Sequence, residues 1–155
     1  MDRSAIHATF SLDRFYPVPA PRVFAAWADP AAKARWFTPD PWSEHELDFR
    51  AGGREVARGG QGARGDGPVL TFEALYADIV PDERIVYTAT MSAAGTLMTV
   101  SLTTVEFRPT PDGTRLLLTE QDTFLDGHEQ PRWRERGTAD QLTALAHELG
   151  DGRRG

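Results

Sequence analysis

Cysteine is absent from all 155 residues. Disulfide frameworks, C-x-x-C redox chemistry, thiolate catalysis and cysteine-ligated zinc are excluded with it. Lysine is almost absent too. Of the 17 basic residues only Lys33 is a lysine, 23 acidic residues outnumber them, and the net charge is −6. Such a chain lacks the cationic surface that phosphate backbones require, so neither nucleic acid nor an anionic membrane is expected as a partner. No stretch approaches the roughly 18 apolar residues of a membrane span, and "MDRSAIHATF" has neither the basic start nor the apolar run of a signal peptide. A cytoplasmic location is the expectation.

Familiar cofactor and catalytic motifs are missing as well. There is no G-x-S-x-G and no Walker lysine, and His147-Glu148 is not followed by x-x-His. "GQGARG", Gly60 to Gly65, satisfies G-x-G-x-x-G, but Asp66-Gly67-Pro68 and another strand follow where a dinucleotide site needs a helix. It reads as a hairpin loop. Asp126, His128 and Glu129 offer oxygen and nitrogen ligands without a second histidine at fixed spacing. No metal and no cofactor is expected.

What is present is patterning. The length suits one domain able to bury roughly 68–70% of its unfolded surface. "IHATFSLDRF" alternates as a first strand, with Ile6, Ala8 and Phe10 on one face, until Pro17, Pro19 and Pro21 stop it. A helix then starts with Pro21 in its first turn. Nine residues separate Trp27 from Trp36, which places them on opposite sides of one continuous helix. Asp29-Pro30 breaks that helix: Asp29 caps a second one with proline at its first position, and the reset lets both indoles face one side.

From residue 44 the period becomes two. "EHELDFR", "GREVAR", "VLTFEALYADIV", "ERIVYTATMS", "LMTVSLTTVEF" and "TRLLLTEQDTF" are joined by hairpin-length turns at Ala51-Gly53, Pro81-Asp82, Ala94-Gly95 and Pro111-Gly113, with the glycine-rich loop between the second and third. Ile85, Tyr87, Ala89 and Met91 share a face. So do Leu116, Leu118, Glu120, Asp122 and Phe124. The strand "VLTFEALYADIV" is apolar on both faces, and its inner side stays unassigned. Residues 132–149 then form a helix with Leu142, Leu145 and Leu149 on one stripe, and 150–155 is a frayed tail. The expected class is α+β: one domain, ordered from about 6 to 149, with two short helices after the first strand and a seven-stranded antiparallel curved sheet closed by a long C-terminal helix.

"AWADP" followed by Trp36, "DFRAGG", "PDERIVYT" and "GTRLLLT" occur in this order across residues 6–149. In these motifs the chain resembles the helix-grip (START-like, SRPBCC, birch-pollen-allergen-like) superfamily, in the branch of the C-terminal domain of the activator of the heat-shock-protein-90 ATPase. The resemblance implies a sheet gripping the last helix around a cavity, and a chaperone as one conceivable partner. Many relatives carry Gly-Trp in the last helix. Here Gly137 is followed by Thr138, so the space of that indole is open or filled from elsewhere, for instance by Trp133.

Two short helices cover less sheet than one long one, and rings lining the remaining gap are what an apolar guest would meet. Gly137, costly inside a helix, reads as a sign of close approach or of space. The expected ligand-binding residues are Trp27, Trp36, Phe37, His45, Phe49, Tyr87, Met91, Glu120, Thr138 and Leu142, with a small apolar or aromatic molecule as partner and no cofactor. Binding rather than catalysis leads. Catalysis of the cyclase, dehydratase or hydrolase type would fall to Glu120, Asp122 or His45, two carboxyls and an imidazole on inward faces. The competing picture of the carboxyls is a strand end emerging into water, with Asp122 outside and Glu120 paired to an arginine. Asp48 and Arg50, two residues apart, read as an ion pair pinning the hairpin. A third reading is a co-chaperone-like surface module, and a homodimer is compatible with all three.

Overall fold

The computed structural model describes residues 3–38, 43–59 and 68–152, with the backbone alone described at 151 and 152. Strand β1 (Ala5–Tyr16) leads into helices α1 (Ala20–Ala28) and α2 (Pro30–Phe37). Strands β2 (Glu44–Leu47), β3 (Arg54–Gly59), β4 (Leu70–Val80), β5 (Arg84–Ala93), β6 (Thr96–Thr110) and β7 (Gly113–Leu125) follow, and α3 (Pro131–Gly152) ends the fold. All neighbouring strands are antiparallel, in the order β1-β7-β6-β5-β4-β3-β2. The fold is α+β helix-grip. "GQGARG" lies outside the described residues.

The helix break forms as its residues dictate. Asp29 is extended (φ −80°, ψ 121°), and its carboxylate accepts the Ala32 amide at 2.9 Å while Pro30 opens α2. Trp27 and Trp36 consequently meet edge to face, ring centroids 4.8 Å apart, both buried. Trp36 Nε1–H donates to the Ala26 carbonyl at 2.9 Å, so the second indole caps the end of the first helix.

Four details go beyond the sequence pattern. β2 stops at Leu47 because Asp48 to Gly53 form a turn in which Gly52 has φ 86° and any Cβ on Gly53 would collide with the Asp48 carbonyl. Arg50 does donate to Asp48 at 2.9 Å across that turn, but both side chains are exposed, where a pair contributes little. β1 runs on to Tyr16, and its Ile6 end is exposed, so the buried face begins at Phe10. In β4 the inner residues are Phe72, Ala74 and Tyr76, while Leu75 lies out on the convex face.

α3 is tied to the rest by side chains that reach its carbonyls and carboxylates. Tyr16 Oη–H donates to the Leu142 carbonyl at 2.9 Å, Arg22 to that of Leu149 at 3.0 Å, and Arg35 holds Glu148 through two bonds of 2.9 and 2.7 Å. Leu142, Leu145 and Leu149 are buried beneath it. Gly137 has no packing role: it is exposed, and a Cβ there would meet nothing within 4 Å. Trp133 is exposed as well and fills no interior space. Gly137→Ala should therefore stabilise the fold by about 1 kcal/mol, raising the thermal midpoint by about 2–4 °C for a chain of this size; an unchanged or lowered midpoint would contradict this account of α3.

Candidate functional site

Between α3 and the concave face of the sheet lies a cavity of about 320 Å³. Trp27, Trp36 and Phe37 form one wall, Phe72, Tyr87 and Met91 the sheet side, and Leu142 and Thr138 the helix side. Its size falls at the lower end of the range for small-molecule sites. Thr138 stands at the cavity surface, so the position where relatives carry an indole is open rather than filled. Glu120, Arg134 and the exposed Arg58 supply charge, and Thr38, Ser43, Thr138 and Gln141 neutral polar groups, to a mostly apolar wall.

Two expected residues are elsewhere. Phe49 packs edge-on against Phe24 and Tyr76, centroids 5.6 and 5.1 Å away, and lies outside the cavity lining. His45 is also outside it, because its Nε2 is held 2.7 Å from Glu55 Oε2. Inward direction was correctly legible for both; what each touches depended on elements remote in sequence.

His45 belongs to a buried network that the sequence did not reveal. Lys33, the sole lysine, is fully buried, and its Nζ donates to Glu55 at 3.0 Å. Tyr76 Oη–H donates to the same carboxylate at 2.7 Å. A carboxylate only accepts, so the imidazole carries its proton on Nε2 in this bond. Burial alone would raise the Glu55 pKa, but the Lys33 charge and the hydrogen bonds from His45, Tyr76 and Lys33 hold it at about 2. Burial pulls the Lys33 pKa down, and the Glu55 charge opposes that pull. The ammonium also lies 4.3, 5.1 and 5.6 Å from the ring centroids of Phe37, Trp27 and Trp36. Rings that wall the cavity thus also pack around the cation. The available signal was spacing: Lys33 precedes Trp36 and Phe37 by three and four residues, which puts it on the apolar face of α2.

At the other end, β6 and β7 turn polar. Thr103 stands opposite Glu120 and Ser101 opposite Asp122, and all four are buried. Asp122 is therefore inside, while Glu120 faces an arginine: Arg134 Nε lies 3.3 Å from Glu120 Oε2 and 3.8 Å from Glu129 Oε2. Thr103 donates to Glu120 at 3.4 Å and Thr99 to Glu129 at 2.6 Å. Burial, with neighbouring Asp122 adding to it, pushes the Glu120 pKa up to about 8, and burial raises Asp122 as well. Apart from the proton shared by Glu120 and Asp122, Glu120 Oε2, both Asp122 oxygens, and Nε and Nη2 of Arg134 make no hydrogen bond among the described residues. No group of three metal-ligating side chains occurs among those residues, and Asp126 instead holds the Ser4 amide at 3.0 Å.

Residues 17–150 match the model of the Activator of Hsp90 ATPase homolog 1-like protein family. The chain belongs to that family. A solved protein of Rhizobium loti, Mll3558, is 46% identical over 94% of this chain and 99% of its own, with a TM-score of 0.87. An uncharacterised protein of Rhizobium leguminosarum is 39% identical, covering 97% and 99%, with a TM-score of 0.92. The AHSA1-like protein of Aeromonas hydrophila shares the fold at 17% identity, covering 94% of both chains, with a TM-score of 0.68. No curated protein matches the chain. Among the described residues of this family member, no helix is long and apolar enough to cross a membrane.

Two measurements check the electrostatics. Lys33→Met should cost about 3–5 kcal/mol in urea unfolding, because it leaves Glu55 charged and buried without its cation; adding Glu55→Gln should restore most of the loss. A small effect of the single substitution would contradict the burial described. For Glu120, the folded protein keeps a proton between pH 4.5 and about 8 that the unfolded chain gives up. This group's contribution to stability therefore falls as pH rises through that window and is constant above it. Glu120→Gln should flatten the decline in urea midpoint between pH 5 and pH 8; an unaltered slope would show that Glu120 titrates normally.

Proposed function

We propose that this protein holds a small, largely apolar molecule between its sheet and α3, in the cytoplasmic setting expected from the sequence. One observation carries the reading: a cavity of about 320 Å³ walled by aromatic rings, with charge confined to Glu120, Arg134 and Arg58. The walls are already packed in place. Trp27, Trp36 and Phe37 form a run of edge-to-face contacts, which lowers the ordering cost of binding. The neutral fluorophore N-phenyl-1-naphthylamine should brighten on binding. Thr138→Trp, which adds an indole at the cavity surface, should weaken it at least tenfold while the circular dichroism of the fold is kept. Absence of any brightening or thermal shift in the unaltered protein would refute the proposal.

A second reading, acid–base catalysis on a bound carbonyl compound, is favoured by Glu120, which keeps its proton up to pH about 8 at the cavity surface. Here Glu120 and Asp122 handle the proton while the aromatic wall holds the substrate. Replacing both by their amides should abolish any turnover found and leave fluorophore binding in place. Unchanged turnover would discard the assignment.

A further inference from the structure

The polar end of the cavity restricts what its occupant carries, on the reading that the cavity binds a small molecule. The side chains of Arg134 and Glu120 are respectively 10% and 8% exposed, and both line the cavity. Nη2 of Arg134 has no hydrogen-bond partner among the described residues, and Oε2 of Glu120 accepts from none, that carboxyl sharing a proton with Asp122. Buried groups of this kind are ordinarily satisfied, and leaving one unmade costs about 1–3 kcal/mol. The Nε–Oε2 approach of 3.3 Å is an ion-pair contact that leaves both atoms available for a hydrogen bond of better direction. One donor and one carboxyl oxygen therefore lie together where the end of a ligand would lie.

Charge selects among the groups that could answer them. Arg134 is the one cation of the cluster, and it faces Glu120, Glu129 and Asp122. The one guanidinium of the cluster is thus already shared among three carboxyl groups. A ligand carboxylate would be a fourth carboxyl group on that guanidinium in a buried site, which disfavours it. An ammonium would meet the like charge of Arg134 beside Glu120, the one carboxyl group of the cluster that lines the cavity. An alcohol or carbonyl oxygen accepts from Arg134 and adds no charge. The hydroxyl has the further ability to donate to or accept from Glu120 in either protonation state.

We infer that the bound molecule presents an uncharged oxygen, a hydroxyl or a carbonyl, to Arg134 and Glu120 at the buried end of an aromatic-walled site. Its class is a neutral alcohol or ketone on an apolar skeleton, preferred over fatty or aromatic carboxylates. Arg134 is the positioning residue for that oxygen. Specificity of this kind is strong because the site's own buried polar atoms go unpaired when the wrong head group binds.

Three probes of nearly equal shape separate the alternatives: 2-naphthylmethanol, 2-methylnaphthalene and 2-naphthoate, each displacing N-phenyl-1-naphthylamine at pH 7. The alcohol should bind at least tenfold more tightly than the hydrocarbon and than the carboxylate. Arg134→Met should bring alcohol and hydrocarbon to within about twofold of each other. Equal binding of alcohol and hydrocarbon by the unaltered protein, or tightest binding of the carboxylate, would overturn the inference and leave the cavity's role as a binding site intact. Failure of the fluorophore and of all three probes to bind would overturn both.

Discussion

Lys33 and Glu55 meet sealed from bulk solvent, and the arrangement of α1, α2 and the β2–β4 side of the sheet follows from keeping that contact sealed. An ammonium 0% exposed and a carboxylate 1% exposed are tolerable only when each is closely matched. Glu55 takes donors from α2, β2 and β4 at once. These elements are thereby fixed to one another by a single side chain of β3. The rings of Trp27, Trp36 and Phe37 pack around the cation, so the wall of the cavity and the seal of the ion pair are the same atoms.

The interior is graded along the sheet. Towards the ends of β6 and β7 that meet in their hairpin, the inner face is Val105, Phe107, Leu116 and Leu118; towards the opposite ends it is Thr99, Ser101, Thr103, Glu120 and Asp122, closed off by Phe124. α3 carries a matching gradient, with Arg134 and Thr138 near its start and Leu142, Leu145 and Leu149 further on. Helix and sheet are thus matched in polarity along their length. The cavity lies across the boundary, and that position gives an apolar compartment two charged groups at one side.

Much of the architecture was legible because it depends on near neighbours in sequence. Proline at 30 after Asp29 sets the helix break, and the period of two sets the faces of β5 and β7, including the inward placement of Glu120 and Asp122. β4 was not legible, since Leu75 is as apolar as Phe72 and only pairing with β3 and β5 decides between them. Among the site residues, Trp27, Trp36, Phe37, Tyr87, Met91, Glu120, Thr138 and Leu142 were placed by face alone. His45 and Phe49 were misplaced because the partners that claim them, Glu55 and Tyr76, come from other strands. Lys33, Glu55 and Arg134 were missed for a related reason: a charged residue reads as surface until its counter-ion, 22 or 14 residues away, is known to meet it.

The isolation of the single lysine reaches beyond stability. Every side-chain cation on the outside of this protein is a guanidinium, which neither loses its proton under physiological conditions nor reacts readily with acyl donors or sugar aldehydes. The ε-amine, the ordinary target of acylation, glycation and amine-directed cross-linking, is out of reach while the fold is closed. Covalent labelling at Lys33 accordingly becomes a record of how often α2 has lifted away from the sheet.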